Sequence, residues 1–312
     1  MHKRVMVTAT ALAIYTATLL GQAWGQAAPP VRSRYFTTLT NTEIEEYLRH
    51  SDVIVVPVGT AEGFNNMPTD LEYAMAEAYA LKIAEEAGGL VLPHLLYFYP
   101  GVTATAKGSV YVAEEECLRY LKAVAHSLLR QGFRRQIYTS SHGPSNQYVA
   151  ALVRDFFEET KDPIVYVETS QLTRMAQQQK LLPENPGNVF QLVGYGAYEI
   201  LGRLNDIPLT LDFKPTGPPV PAPPESLRKL SPLGPGSGAV GTYSPNNGDN
   251  GGRPLRIAIT AQQREEMGKQ GAAIIEAGVK AMDVKGVVQA MRDYDKYIHD
   301  VIVPRYGDTL PK

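Results

Sequence analysis

Three places in this 312-residue chain put metal-ligating side chains directly after an apolar run. Glu62 and Asp70 follow residues 53–58, His94 follows 90–93, and His142 follows 135–139 with Ser140 and Ser141 beside it. Two carboxylates and an imidazole gathered at one edge offer the oxygen and nitrogen donors that suit a divalent cation such as zinc or manganese. A cation held there would lower the pKa of water and polarise a carbonyl, which is the chemistry of metal-assisted hydrolysis. On spacing alone each acid has a second reading, Glu62 as a helix-capping group and Asp70 as an N-cap. Nucleophilic catalysis by Ser140 or Ser141 with His142 is the poorer reading. Adjacent residues at a strand end point in different directions, and no Gly-x-Ser-x-Gly elbow occurs in the chain. Cys117 stands among apolar neighbours and reads as a small core residue. His50, His126 and His299 read as surface residues, while His94 stays open as a contributor to a pocket.

Those residues can converge only if the runs before them are strands of one sheet. Residues 53–58, Val-Ile-Val-Val-Pro-Val, are continuously apolar, as expected of a strand covered on both faces. A short helix over 42–49 with a capping-box start precedes it, and an amphipathic helix over 70–87 comes next, closed by Gly88-Gly89. The alternation continues with a strand at 90–93, a helix at 114–131, a strand at 135–139, a helix at 147–159 and a strand at 164–167. A last clear helix runs over 260–281 with Thr260 as N-cap. This order predicts an α/β fold, three-layer α/β/α, with a mostly parallel central sheet. In such sheets ligands bind beyond the carboxyl ends of the strands, which is where Glu62, His94 and His142 fall. Ten of the 23 prolines and eight of the 27 glycines lie in 214–254, so that segment reads as a long loop inside one domain spanning 26–312. Its Gly236-Ser237-Gly238-Ala239-Val240-Gly241 matches a dinucleotide fingerprint by letter only, since no strand precedes it and no helix comes after it.

Composition narrows the partners. A net charge of −2 gives no surplus of cations for a phosphate backbone, so nucleic-acid binding through a basic surface is not expected. One cysteine excludes an internal disulfide and a cysteine-based zinc site. His2, Lys3 and Arg4 precede an apolar run over 5–20, and Ala23-Trp24-Gly25 offers small residues for cleavage, so 1–25 reads as an export signal. The mature chain is then expected to start near Gln26, to be periplasmic or extracellular, and to have no membrane span. Trp24 is the only tryptophan and would leave with the signal.

Several pieces, in order, resemble the creatininase (creatinine amidohydrolase) family. Val55-Val56-Pro57-Val58-Gly59-Thr60-Ala61-Glu62 is similar to that family's strand ending in Pro-x-Gly-Ser-x-Glu, and Pro68-Thr69-Asp70 to its Leu-Pro with Thr-Asp. Gly132-Phe133-Arg134-Arg135 resembles its Gly-Phe-x-x before the third strand, and Ser141-His142-Gly143 with Asn146 its Asn-Gly-His-Gly-Gly-Asn. Gly196-Ala197-Tyr198-Glu199 resembles its His-Ala-Gly-x-x-Glu-Thr-Ser segment. The resemblance implies a creatininase-like fold and a homo-oligomeric two-metal amidohydrolase that opens a cyclic amide of a small-molecule substrate with metal-activated water.

Departures from the family pattern narrow that implication. The resemblance assigns Glu62, Asp70 and His142 to one metal position, and all three survive. A second position would share Asp70 and use Glu199, but its histidine is replaced by Phe64, so about one zinc or manganese ion per subunit is expected. The family's proton-shuttling histidine aligns with Gly194, which leaves Glu199 and Tyr195, or Tyr198, as candidate proton donors. Without a mature tryptophan, a Trp-based lid is excluded. Two functions remain: a divergent exported hydrolase acting on a cyclic amide or another C–N bond, or a catalytically silent member of the fold that binds a small ligand or a protein partner.

Overall fold

The computed structural model of the protein describes residues 31–63, 67–183, 187–209, 224–229 and 258–310. The export signal and the expected start at Gln26, Phe64, and most of the 214–254 segment lie outside the described residues. Four strands form one all-parallel sheet in the order β2-β1-β3-β4: β1 (Val53–Pro57), β2 (Leu90–Val91), β3 (Arg135–Ser140) and β4 (Val165–Glu168). The strand at 90–93 is shorter than its sequence suggests: the Leu92 N–H still donates to the Val55 carbonyl at 2.9 Å, but His94, next in line to face β1, has a left-handed φ of 75° and gives its N–H to the Tyr73 hydroxyl.

Alternation along β1 divides the core. Val53 and Val55 join one apolar cluster with residues of α2 (Leu71–Ala87), α5 (Thr169–Gln178), α6 (Val189–Ile200), α7 (Ala261–Met282) and α8 (Val284–Tyr297). Ile54, Val56 and Val58 join the opposite cluster with α1 (Asn41–Leu48), α3 (Glu114–Gln131) and α4 (Ser145–Thr160). A period of two in the strand thus yields the three-layer α/β/α arrangement that the sequence predicts. Cys117 sits in the second cluster and is 1% exposed. Burial pushes its thiol up to about 11, so it packs as a hydrophobe. No helix among the described residues is long and apolar enough to cross a membrane.

Helix ends obey local chemistry. Helix α1 starts at Asn41, with Thr40 rather than Thr42 as its cap: the Thr40 hydroxyl accepts from the Glu43 N–H at 3.3 Å, and the Glu43 carboxylate accepts from the Thr40 N–H at 2.8 Å. Thr40→Ala is expected to cost about 1 kcal/mol of unfolding free energy in urea titration. Gly88 and Gly132 close α2 and α3 in the left-handed conformation. Helices α6 and α7 cross with their backbones in contact. A Cβ placed on Gly271 would lie 1.7 Å from the Leu192 carbonyl oxygen, and one on Gly196 would lie 2.1 Å from the Gly271 carbonyl carbon.

A candidate metal centre at the carboxyl edge of the sheet

Strands β1 and β3 are neighbours, paired from Val53–Arg135 to Pro57–Thr139, so the residues beyond them emerge side by side. After β1 the chain turns at Gly59, whose Cα lies so near the start of α2 that an added Cβ would meet the Tyr73 backbone at 2.6 Å. The Glu62 N–H then donates to the Thr69 carbonyl at 2.8 Å, which draws the first turn of α2 against Glu62. After β3 the His142 N–H donates to Ser140 Oγ at 3.2 Å and turns the imidazole inward. These three local choices bring together Glu62, Glu72 and His142, which are 2%, 6% and 3% exposed.

One donor atom from each of the three lies within 4.8 Å of the other two. His142 Nδ1 touches Glu72 Oε2 and stands 3.6 Å from Glu62 Oε1. Its other nitrogen, Nε2, lies 2.9 Å from the Tyr99 carbonyl, and because a carbonyl only accepts, Nε2 carries a proton there. The Thr103 hydroxyl sits against Glu62 Oε2 and 2.9 Å from the Pro100 carbonyl. Glu62 Oε1 is left buried with no hydrogen-bond partner. A buried carboxylate oxygen without a donor is costly unless a cation meets it.

Charge within the group is strongly redistributed. Burial and then the charge of Glu62 push the Glu72 carboxyl up to about 8, against the pull of His142. Burial opposes the imidazolium of His142, but the Glu72 charge and contacts to both carboxylates outweigh it and raise the group to about 10. Burial also opposes ionisation of Glu62, yet the approach and charge of His142 at 3.6 Å, with contacts from Glu72 and Thr103, hold that carboxyl below its usual range. At neutral pH the trio therefore holds protons on the Glu72–His142 contact and a negative charge on Glu62.

The expected ligands divide. Glu62 and His142 meet as the sequence suggests, but Asp70 is engaged elsewhere. Its Oδ1 accepts from the Tyr198 hydroxyl at 2.6 Å and its Oδ2 from Arg203 Nη1 at 2.7 Å. Asp70 stands at the N-cap of α2 without capping it, and two residues on, Glu72 takes the place expected for Asp70. A helix turns about 100° per residue, so positions two apart face nearly opposite ways and only one of them can reach the cluster. Glu199 and Tyr195 are likewise outside the trio. The Glu199 Cβ lies 3.3 Å from where a Cβ on Gly268 of α7 would stand, and the Tyr195 hydroxyl accepts from the Ala258 N–H at 3.2 Å. Gly194 faces Leu71, whose Cδ1 would be 3.0 Å from an added Cβ.

The other candidates also find places. Exposed His94 donates its backbone N–H to the Tyr73 hydroxyl at 2.6 Å and has a left-handed φ of 75°. Ser141 Oγ lies 2.7 Å from Thr169 Oγ1 rather than on His142, which leaves the seryl nucleophile reading without a geometric basis. His50 and His126 pair at the surface with Glu46 and Glu159. A second carboxylate–histidine group, Asp162, Asp295 and His299, gathers elsewhere. Arg134 bridges both of its aspartates and Arg135 Nη2 donates to Asp295 at 2.8 Å, so arginines already occupy its oxygens. Of the two groups, only the Glu62 trio holds a buried carboxylate oxygen without a hydrogen-bond partner among the described residues, Glu62 Oε1.

A parallel sheet wrapped by helices, with carboxylates and an imidazole beyond strands β1 and β3, defines the protein as a three-layer α/β/α chain with a candidate metal centre at the carboxyl edge of its sheet. Residues 37–189 match the family model of creatininase, creatinine amidohydrolase, and the chain belongs to the creatininase family. It is 32% identical over 111 residues to a 3-dehydro-scyllo-inosose hydrolase of Thermotoga maritima, a match covering 35% of this chain and 36% of that relative. The match therefore spans about a third of the relative's length. A crystal structure of creatinine amidohydrolase (creatininase) superposes with a TM-score of 0.57 at 20% identity, covering 83% of this chain and 98% of that one. A manganese form of creatininase gives 0.56 at 20% identity, covering 84% and 98%. At these identities the structural likeness establishes the fold.

Proposed function

We propose that the protein is a metal-dependent hydrolase whose single divalent ion is held by Glu62, Glu72 and His142. The observation that carries this reading is Glu62 Oε1, a buried carboxylate oxygen with no hydrogen-bond partner, facing His142 Nδ1 at 3.6 Å. The donor set suits zinc or manganese, and the His142 Nε2–H bond to the Tyr99 carbonyl is the kind of outer contact that fixes a ligating imidazole. A divalent ion in this place would supply Lewis acidity toward a carbonyl and a lowered pKa for water. The chain's own residues do the rest. Thr103 orients Glu62, Tyr99 fixes the His142 tautomer, and burial keeps bulk water from the trio. The Thermotoga maritima relative is named a 3-dehydro-scyllo-inosose hydrolase, which supports hydrolysis as the shared feature. A small-molecule substrate, a homo-oligomer, and export by residues 1–25 to the periplasm or the exterior complete the proposal.

Titration with zinc and with manganese, followed by metal analysis after dialysis, tests it. About one ion per chain supports the hydrolase. A protein that stays empty would leave the trio as a buried ion pair and the chain as a ligand-binding member of its family.

Metal affinity is expected to depend on pH with a definite sign. Glu72 and His142 hold protons at neutral pH because both are raised above their ordinary values, and an ion must displace those protons. Zinc affinity should therefore rise as pH rises through about 8. Calorimetry in two buffers of different ionisation enthalpy should show proton release on binding; equal heats in both buffers would contradict it.

A further inference from the structure

We propose that the cleft between α5 and α6 binds an uncharged, hydroxyl-rich ring, a sugar or a cyclitol. The cleft encloses about 520 Å³, the size of a small-molecule site. Glu62, Glu72 and His142 do not line it, but two of its wall residues are their near neighbours in the chain: Ser141 precedes His142 and Met75 comes three residues after Glu72. Its orientation toward that centre rests on the hydrolase reading; its binding chemistry does not.

The two walls differ in kind. From α5 come Thr169, Ser170, Thr173, Arg174 and Gln177, whose spacing of one, three and four residues keeps them along one side of the helix. From α6 come Val189, Phe190 and Val193, an apolar wall that Met75 extends from α2. An occupant must therefore present one apolar face and one polar rim. A ring bearing C–H groups on its faces and hydroxyls around its edge does so, with one face against Val189, Val193 and Met75 and the rim along α5.

Charge decides against ionic ligands. Arg174 and Glu168 line the same cleft, and Ser170 joins them: its hydroxyl donates to Glu168 Oε1 and accepts from Arg174 Nη2 at 3.3 Å. The opposite charges offset each other, so the cleft offers an anion or a cation little net attraction. The remaining polar groups alternate donors with acceptors. Ser141 and Thr169 share one hydrogen bond at 2.7 Å, so one of their two protons is left to donate. Gln177 adds an amide with both roles and no side-chain partner among the described residues. A hydroxyl both donates and accepts, which makes it the ligand group that such a wall satisfies most fully. A bare apolar or amide ring would cover the apolar wall but leave the α5 wall desolvated without partners.

Saturation-transfer NMR and calorimetry on the full chain, with myo-inositol, methyl glucoside, creatinine and gluconate as probes, test this. Myo-inositol or methyl glucoside should bind tightest, and the stronger of the two tells a cyclitol from a sugar. Phe190→Ala and surface-exposed Gln177→Ala should each weaken that binding by at least about tenfold. The inference is overturned if creatinine or gluconate binds more tightly than both polyols, if neither polyol binds, or if Gln177→Ala leaves polyol affinity unchanged. Zinc titration of the unmodified chain reports separately: zinc uptake without polyol binding sinks this inference alone, and polyol binding without zinc uptake sinks the hydrolase reading alone.

Discussion

His142→Ala is expected to take the chain from about one bound zinc or manganese ion to none that survives dialysis. The imidazole supplies the one nitrogen of the trio, and its Nδ1 reaches both carboxylates. Removing it leaves two buried acids facing each other, one of them already pushed up to about 8. Those acids would then share a proton rather than hold an ion. Glu72→Gln should lower metal uptake as His142→Ala does, whereas Asp70→Asn should leave it intact, because Asp70 is held by Tyr198 and Arg203. Retention of the ion by Glu72→Gln together with its loss from Asp70→Asn would reverse this assignment of ligands.

Gly271→Ala is expected to destabilise the fold by about 3 kcal/mol or more. The added carbon would lie 1.7 Å from the Leu192 carbonyl oxygen, and the contact is backbone, so no side chain can swing aside to relieve it. Helices α6 and α7 would have to separate, loosening the packing of Ile274 and Tyr195 in the larger core cluster. The loss should appear as a fall of roughly 6–12 °C in thermal midpoint. Ala273, outside the crossing pair Gly196 and Gly271, provides a control: Ala273→Gly should cost only about 1 kcal/mol of helix propensity. A midpoint for Gly271→Ala within a degree or two of the parent would mean that the helices do not cross so closely.

Much of the architecture was legible because it rests on local patterns. The apolar run at 53–58, the glycines after residues 87 and 131, and the regular return of strands each determine structure over a few residues. Glu62 and His142 were legible for the same reason: each comes just after a strand, and parallel strands deliver the residues beyond their carboxyl ends to one edge. Glu72 was not. An acid in the first turn of a helix ordinarily needs no explanation beyond the helix dipole, and Asp70 drew attention as the acid next to a recognisable motif. The signal that could have separated them is context. Glu72 stands in a run, Leu-Glu-Tyr-Ala-Met-Ala, that is otherwise buried, so its carboxylate must find a partner inside. The partners of Asp70 were hidden for another reason, since Tyr198 and Arg203 are more than 120 residues away and only the packing of α6 brings them near. Thr103 and the Tyr99 carbonyl were beyond reading as well, because a hydroxyl and a main-chain oxygen in a turn-rich segment carry no distinctive pattern.

The bond from His142 to Tyr99 has a bearing on how this chain tolerates genetic variation. Its acceptor is a peptide oxygen, which every amino acid at position 99 would retain, proline included. The protonation pattern of the imidazole is thus insured against point replacement of its anchor. Drift could rewrite the aromatic side chain there while Nδ1 stayed the nitrogen aimed at Glu62 and Glu72; only an insertion or deletion that displaced the loop itself would undo that aim.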